Sequence, residues 1–140
     1  MKKKDIKVVK DLQRLKGIYF DRQALVQGRI NQFESGIDKV QQEIVVQKEY
    51  ISQLESNLYE FKKSFYHKKS FILQEVKQHE LEIKQFLKQL ENEQYNLESL
   101  NNNYFDLCEK LQQERDVLKS LVRKEEKFSL SIHLLKNNNN

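Results

Sequence analysis

Apolar side chains recur along this chain at alternating steps of four and three, and they do so in two separate phases. In the first half, Leu12, Tyr19, Val26, Phe33, Val40, Gln47, Leu54 and Phe61 stand seven apart. Ile30, Ile37, Ile44, Ile51, Leu58 and Phe65 interleave with them at the same spacing. Two such series fall on one stripe of a helix and form the seam of a coiled coil. The second half repeats the design. One series runs Ile72, His79, Phe86, Glu93, Leu100, Leu107, Glu114, Leu121, Phe128, Leu135. The other runs Val76, Ile83, Leu90, Leu97, Tyr104, Leu111, Leu118, Glu125, Ile132. The pattern predicts two long helices.

The two phases do not join. The break lies inside KKSFYHKKSF, residues 62–71, where Lys62-Lys63-Ser64-Phe65 is answered by Lys68-Lys69-Ser70-Phe71. A single helix could run through a phase defect here and dimerise, or the chain could reverse and pack its halves together. Lys68 would occupy the seam of a continuous helix, where its charge must snorkel. Ser64 or Ser70 could cap a new helix by accepting backbone N–H groups. No Gly or Pro marks a turn, which weighs against reversal. Near-equal halves and the misplaced lysine favour it nonetheless. The expectation is an all-α fold, two long helices in an antiparallel coiled-coil hairpin that forms a single domain. Its first helix covers about 5–63, its tip about 64–71 and its second helix about 72–136, with a frayed tail at 137–140. Each arm of about 65 residues would reach roughly 95 Å at 1.5 Å per residue.

Centring the reversal near residue 67 also sets a register. It places Arg22 beside Glu114 and Lys10 beside Glu125, so that acidic interruptions of the second seam meet bases of the first. Such pairs add little stability at a surface, but they favour one register over others. Gly17, Gly28 and Gly36 each weaken the first helix by about 1 kcal/mol relative to Ala. His79 is expected to be a partly exposed seam histidine.

Composition supports this picture and narrows the chemistry. The chain has no Pro, 33% charged residues and a net charge of +4, a profile of long helices rather than a compact globule. Apolar runs as short as Ile44-Val45-Val46 cannot span a bilayer. The basic start MKKKDIKVVK lacks the apolar core of a secretory signal. Cys108 stands alone, which excludes an internal disulfide, fits a reducing compartment and reads as a small seam-side filler. Charge is uneven: residues 1–70 hold 15 Lys/Arg against 9 Asp/Glu, and residues 71–140 hold 10 against 12. Halves of opposite sign suit side-by-side packing.

Candidate chemistry is sparse. His67, His79 and His133 lack metal-ligand spacing, and one Cys cannot build a zinc site. There is no Gly-rich phosphate loop. Catalytic carboxylates need a pocket that shifts their pKa values, and two packed helices offer no wide interior. No catalytic residue, metal or cofactor is therefore expected. Basic residues are mixed with acids beyond residue 10, which argues against nucleic acid. The lack of a one-sided basic, apolar-faced helix argues against a membrane-surface role and direct membrane insertion.

The ends carry a resemblance. The stretch IKVVKDLQRLK with Ile6, Leu12 and Lys16, and the closing LKSLVRKEEKFSLSIHLLK with Arg123-Lys124-Glu125 and Phe128, frame a hairpin of matching length. In this the chain resembles the central-stalk proteins of type III secretion systems, the family of YscO, InvI and SpaM, with FliJ as its flagellar counterpart. The resemblance implies a non-enzymatic stalk on the cytoplasmic side of a secretion apparatus. Its termini-bearing end, residues 6–22 and 118–135, would enter a hexameric export ATPase, and the stalk would couple that ring to an export-gate membrane protein. A part in handling secretion chaperones is implied as well. The ATPase-facing contacts would be Lys7, Lys10, Arg14, Arg123, Lys124 and Lys127, and the tip would present Phe65, Tyr66, His67 and Phe71. The competing expectation is a structural or adaptor coiled coil that homodimerises through the same seam.

Overall fold

A computed structural model describes residues 2–68 and 70–138. Helix α1 spans Lys3–Tyr66 and helix α2 spans Leu73–Asn138, and no strand occurs among the described residues. The fold is an all-α helical hairpin. The tip is shorter than the sequence suggests: α1 continues past Ser64 through Tyr66, so Ser64 caps nothing. His67 still donates its N–H to the Lys63 carbonyl (3.2 Å), and Val76 donates to Ile72 (3.2 Å) to begin α2. Ile72, placed in the seam by its heptad, instead lies in the connection and is exposed. The expected tail at 137–140 is helical through Asn138. Lys69 of the second Lys-Lys-Ser-Phe and the tail residues Asn139 and Asn140 lie outside the described residues.

Packing between the helices falls into two units, Met1–Gly36 with Leu107–Asn140 and Ile37–Asp106. Within the first, Val9, Val26 and Ile30 of α1 are buried, as are Leu111, Leu121 and Ile132 of α2. The Tyr19 ring packs on Phe128 with centroids 5.4 Å apart. Polar contacts also cross between the helices, at the seam and on its exposed flank. Gln23 Nε2 donates to Glu125 Oε2 at 2.6 Å. Arg29 Nε lies 3.2 Å from Glu114 Oε2, and Arg115 Nη2 lies 3.2 Å from Glu34 Oε1.

In the second unit, Ile51, Leu54, Leu58 and Leu90 form a buried cluster, flanked by Ile83, Phe86 and Leu97. Gln47 Nε2 crosses to Glu93, donating to its carbonyl oxygen (2.9 Å) and its Oε2 (2.6 Å). The flawed seam position thus satisfies a backbone acceptor of the facing helix. Two helices without a third layer leave every core side chain some access to water, and no described side chain falls below 2% exposure. Stability is spread over many thin layers, each Leu or Ile contributing up to about 1.5–3 kcal/mol of burial.

The register differs from the expectation. Glu114 meets Arg29, one heptad beyond Arg22, and Glu125 meets Gln23 rather than Lys10. The cause is at the tip. With α1 running to Tyr66 and α2 starting at Leu73, the chain reverses later than residue 67, and the facing positions of α1 move along by seven residues at Glu114 and by thirteen at Glu125. Arg22 instead sits over its own helix neighbour Tyr19, 5.3 Å from the ring centroid, and Lys10 is exposed.

Candidate functional site

Both chain ends belong to the first unit, and all six basic residues expected at the ATPase-facing end are exposed there. They form two groups. Lys7, Lys10 and Arg14 are spaced three and four apart, which puts them on one face of α1. On α2, Arg123, Lys124 and Lys127 line a shallow open groove of about 470 Å³ with Asp116, Lys119 and Ser120. The structure brings the α2 trio together and adds Lys119, which heptad reading gives no reason to single out. It does not join the two trios in one groove. Lys124 has a second role, its ammonium lying 5.7 Å from the Tyr19 centroid. Arg22 and Lys124 therefore both cover the Tyr19 ring, and this mutual cation–π cover ties α1 to α2 beside the basic groove.

In the same unit, Lys16 and Glu125 border a second shallow groove with Gly17 and Phe20. Phe20 is 61% exposed, a large apolar ring open to solvent. The seam is polar here, since Lys16 and Gln23 of α1 stand where apolar residues recur elsewhere.

The tip residues sort differently. Phe65 is half-buried and stacks face to face on His79, centroids 3.7 Å apart and planes at 8°. Phe71 stacks on the other side of Phe65 at 4.7 Å. Tyr66 approaches Phe65 edge-on at 6.1 Å yet is largely exposed. His67 is exposed and takes part in none of the ring contacts the other three share. Two residues the sequence reading left out complete the cluster. Phe61 stacks on His79 at 4.8 Å and contacts Phe86 at 5.5 Å. His79 itself is buried, 6% exposed, not partly exposed as its heptad flaw suggested. Its Nε2 is buried without a hydrogen-bond partner among the described residues. The ring ladder Phe71–Phe65–His79–Phe61–Phe86 explains this burial, because stacked pairs of this kind contribute about 0.5–1.5 kcal/mol beyond their area.

Among the described residues no group of His, Cys, Asp or Glu is placed to hold a metal ion. No described helix is long and apolar enough to cross a membrane. Cys108 is a free, half-buried thiol. Compared with known protein families, curated proteins and solved structures, the chain matches none.

Proposed function

We propose that this chain is a non-enzymatic central stalk of a type III protein secretion apparatus. Its termini-bearing unit would engage a hexameric export ATPase, and the chain would couple that ring to an export-gate membrane protein and take part in handling secretion chaperones. The observation that carries the reading is the pairing of both chain ends in one unit with a row of exposed bases, Arg123, Lys124 and Lys127, on α2. Acidic loops lining a ring would meet such bases, and complementary charge of this kind mainly sets association rate and specificity. The softened seam at Lys16, Gln23, Glu114 and Glu125 supports the same reading, since a pair of helices packed by other subunits need not close on itself. A location at the cytoplasmic face of the apparatus belongs to the proposal.

The test is charge reversal. Arg123→Glu with Lys127→Glu should leave helicity nearly intact, because surface changes usually shift stability by under about 0.5 kcal/mol, whereas Lys124→Glu would also remove the cation over Tyr19. Stimulation of a secretion ATPase by the purified chain should fall. The control, Lys84→Glu with Lys88→Glu on exposed positions of the other unit, should do much less. Equal loss from both pairs would remove the end-specific contact. The alternative reading, an adaptor that dimerises through the seam, needs those apolar side chains free, whereas in the hairpin they pack within the chain.

A further inference from the structure

The net charge of +4 is not spread along the chain. Residues 62–77, which run from the end of α1 through the connection into the start of α2, hold five Lys and one Glu. Taking these from the chain's 25 Lys/Arg and 21 Asp/Glu leaves 20 of each, so the whole excess of positive charge belongs to the tip. The one acid, Glu75, already has the Lys68 ammonium 3.8 Å from its Oε2. The same segment carries Phe71, Ile72 and Leu73, the longest run of exposed large apolar side chains among the described residues, each 45–70% exposed. Tyr66, which ends α1 across the connection, is as open. Elsewhere such side chains stand one or two together in sequence, and scattered ones need no explanation.

Successive side chains project to different sides. A groove that takes one helix face would therefore cover only part of the run, whereas a medium that surrounds the apex covers all of it. The bases stand one turn behind. Lys63 precedes Tyr66 by three residues and Lys77 follows Leu73 by four, so each base shares a side of its helix with the apolar residue. At 1.5 Å per residue each lies about 4.5–6 Å farther from the apex. Lys63, Lys68 and Lys77 are all exposed. Apolar side chains ahead of a tier of bases match a membrane interface, where apolar groups sink about 5–10 Å to the headgroup–acyl boundary and bases stay with anionic headgroups. The run is also firmly mounted, since Phe71 stacks on Phe65 at 4.7 Å.

We propose that the apex of the hairpin is an end-on anchor for an anionic lipid bilayer. Tyr66, Phe71, Ile72 and Leu73 enter the boundary between headgroups and acyl chains, and Lys63, Lys68 and Lys77 meet the lipid phosphates and carboxylates. The sequence argument against a membrane rests on the helix faces, where charges are mixed, and the connection lies outside both faces. The anchor does not cross the bilayer, since no described helix is long and apolar enough. The backbone groups of the connection stay at a depth that water still reaches, so they need no internal partners. The proposal does not depend on the stalk reading.

The chain has no Trp, so Ile72→Trp puts a sole indole at the apex, and Tyr95→Trp puts one at an exposed position elsewhere in the same unit. Each full-length chain is titrated with vesicles of phosphatidylcholine, pure or mixed with phosphatidylserine. Only Ile72→Trp with the anionic vesicles should show blue-shifted emission that acyl-brominated lipid quenches. The unaltered chain should float with those vesicles, and less so as salt is raised. Lys63→Gln with Lys77→Gln should weaken flotation at least about tenfold, as two bases near an anionic surface would. Ile72→Ser with Leu73→Ser should weaken it at least about fivefold. Circular dichroism checks that both double variants stay helical, and if either does not, the Ile72→Trp quenching decides. An unaltered chain that does not float, equal flotation with neutral vesicles, full binding by a folded double variant, unshifted emission from bound Ile72→Trp, or an equal shift from Tyr95→Trp would each overturn the proposal. Polyglutamate shifting the Ile72→Trp emission while anionic vesicles leave it unchanged would replace the bilayer by an acidic protein.

Discussion

Single side chains decide both the register and the tip. The Arg29–Glu114 contact has one half-exposed partner and one mostly covered, with side chains 50% and 22% exposed. Its worth is therefore modest, about 0.5–1 kcal/mol after solvent screening. Glu114→Lys should lower the melting temperature, and adding Arg29→Glu should recover part of the loss. Adding Arg22→Glu instead should recover nothing, and a rescue by Arg22 would restore the earlier-turn register. His79 allows a sharper comparison. His79→Ala removes a ring stacked on two others and should cost about 2–4 kcal/mol in urea denaturation. His79→Phe keeps the stack and removes the unpartnered Nε2, whose burial costs about 1–3 kcal/mol. It should be neutral or stabilising. If Phe costs as much as Ala, then the imidazole has a polar role that the ring geometry does not account for.

At the scale of the helices, the heptads were legible and their alignment was not. Nearly every seam position read from the chain, Val26, Ile30, Leu54 and Leu121 among them, is buried or half-buried, with Ile72 the exception because the turn absorbs it. The alignment escaped because a seven-residue repeat looks the same after a slip of seven. Arg22 and Arg29 share one heptad position, and only the length of the connection chooses between them. That length depended on whether α1 stops at residue 63 or continues to Tyr66, a difference set by ring stacking across the tip rather than by local propensity. The candidate site divides in the same way. Phe65, Tyr66 and Phe71 are neighbours in sequence and could be read as a cluster. Phe61 and His79 join it only once the register is known. The glycines provide a test that does not depend on register. A Cβ at Gly17 or Gly28 would meet nothing within 4 Å, so each change to Ala should gain up to about 1 kcal/mol of helix propensity. Thermal unfolding followed by circular dichroism checks this, and a loss at either site would mean that its open surface is not free.

For the whole molecule, the hairpin makes a direct statement about what is covalently joined to what. Gln47 and Glu93 meet across the seam of the second unit. With Cys108→Ser removing the native thiol, Gln47→Cys with Glu93→Cys and a short bis-maleimide should yield a product within one chain at high dilution. The mass should remain that of a single chain, about 16.9 kDa plus linker. Cross-linked pairs of chains as the only product would mean that the helices meet between molecules, and the adaptor reading would then take precedence.

The polar layers also constrain how such a chain can change length over time. In the first unit, Gln23 and Arg29 are held opposite Glu125 and Glu114. Deleting one residue between Gln23 and Arg29 would turn the two by about 100° relative to each other, so that Gln23 leaves the seam while Arg29 stays beside Glu114. A deletion of seven restores the angle, and Arg29 keeps Glu114 because both lie on the tip side of it, but α2 is then a heptad too long beyond and Glu125 loses Gln23. Lineages of this hairpin should therefore gain or lose residues in sevens, and in both helices together, with single-residue gaps confined to the connection after Tyr66. Its two helices are expected to keep matching lengths even where their sequences diverge beyond recognition.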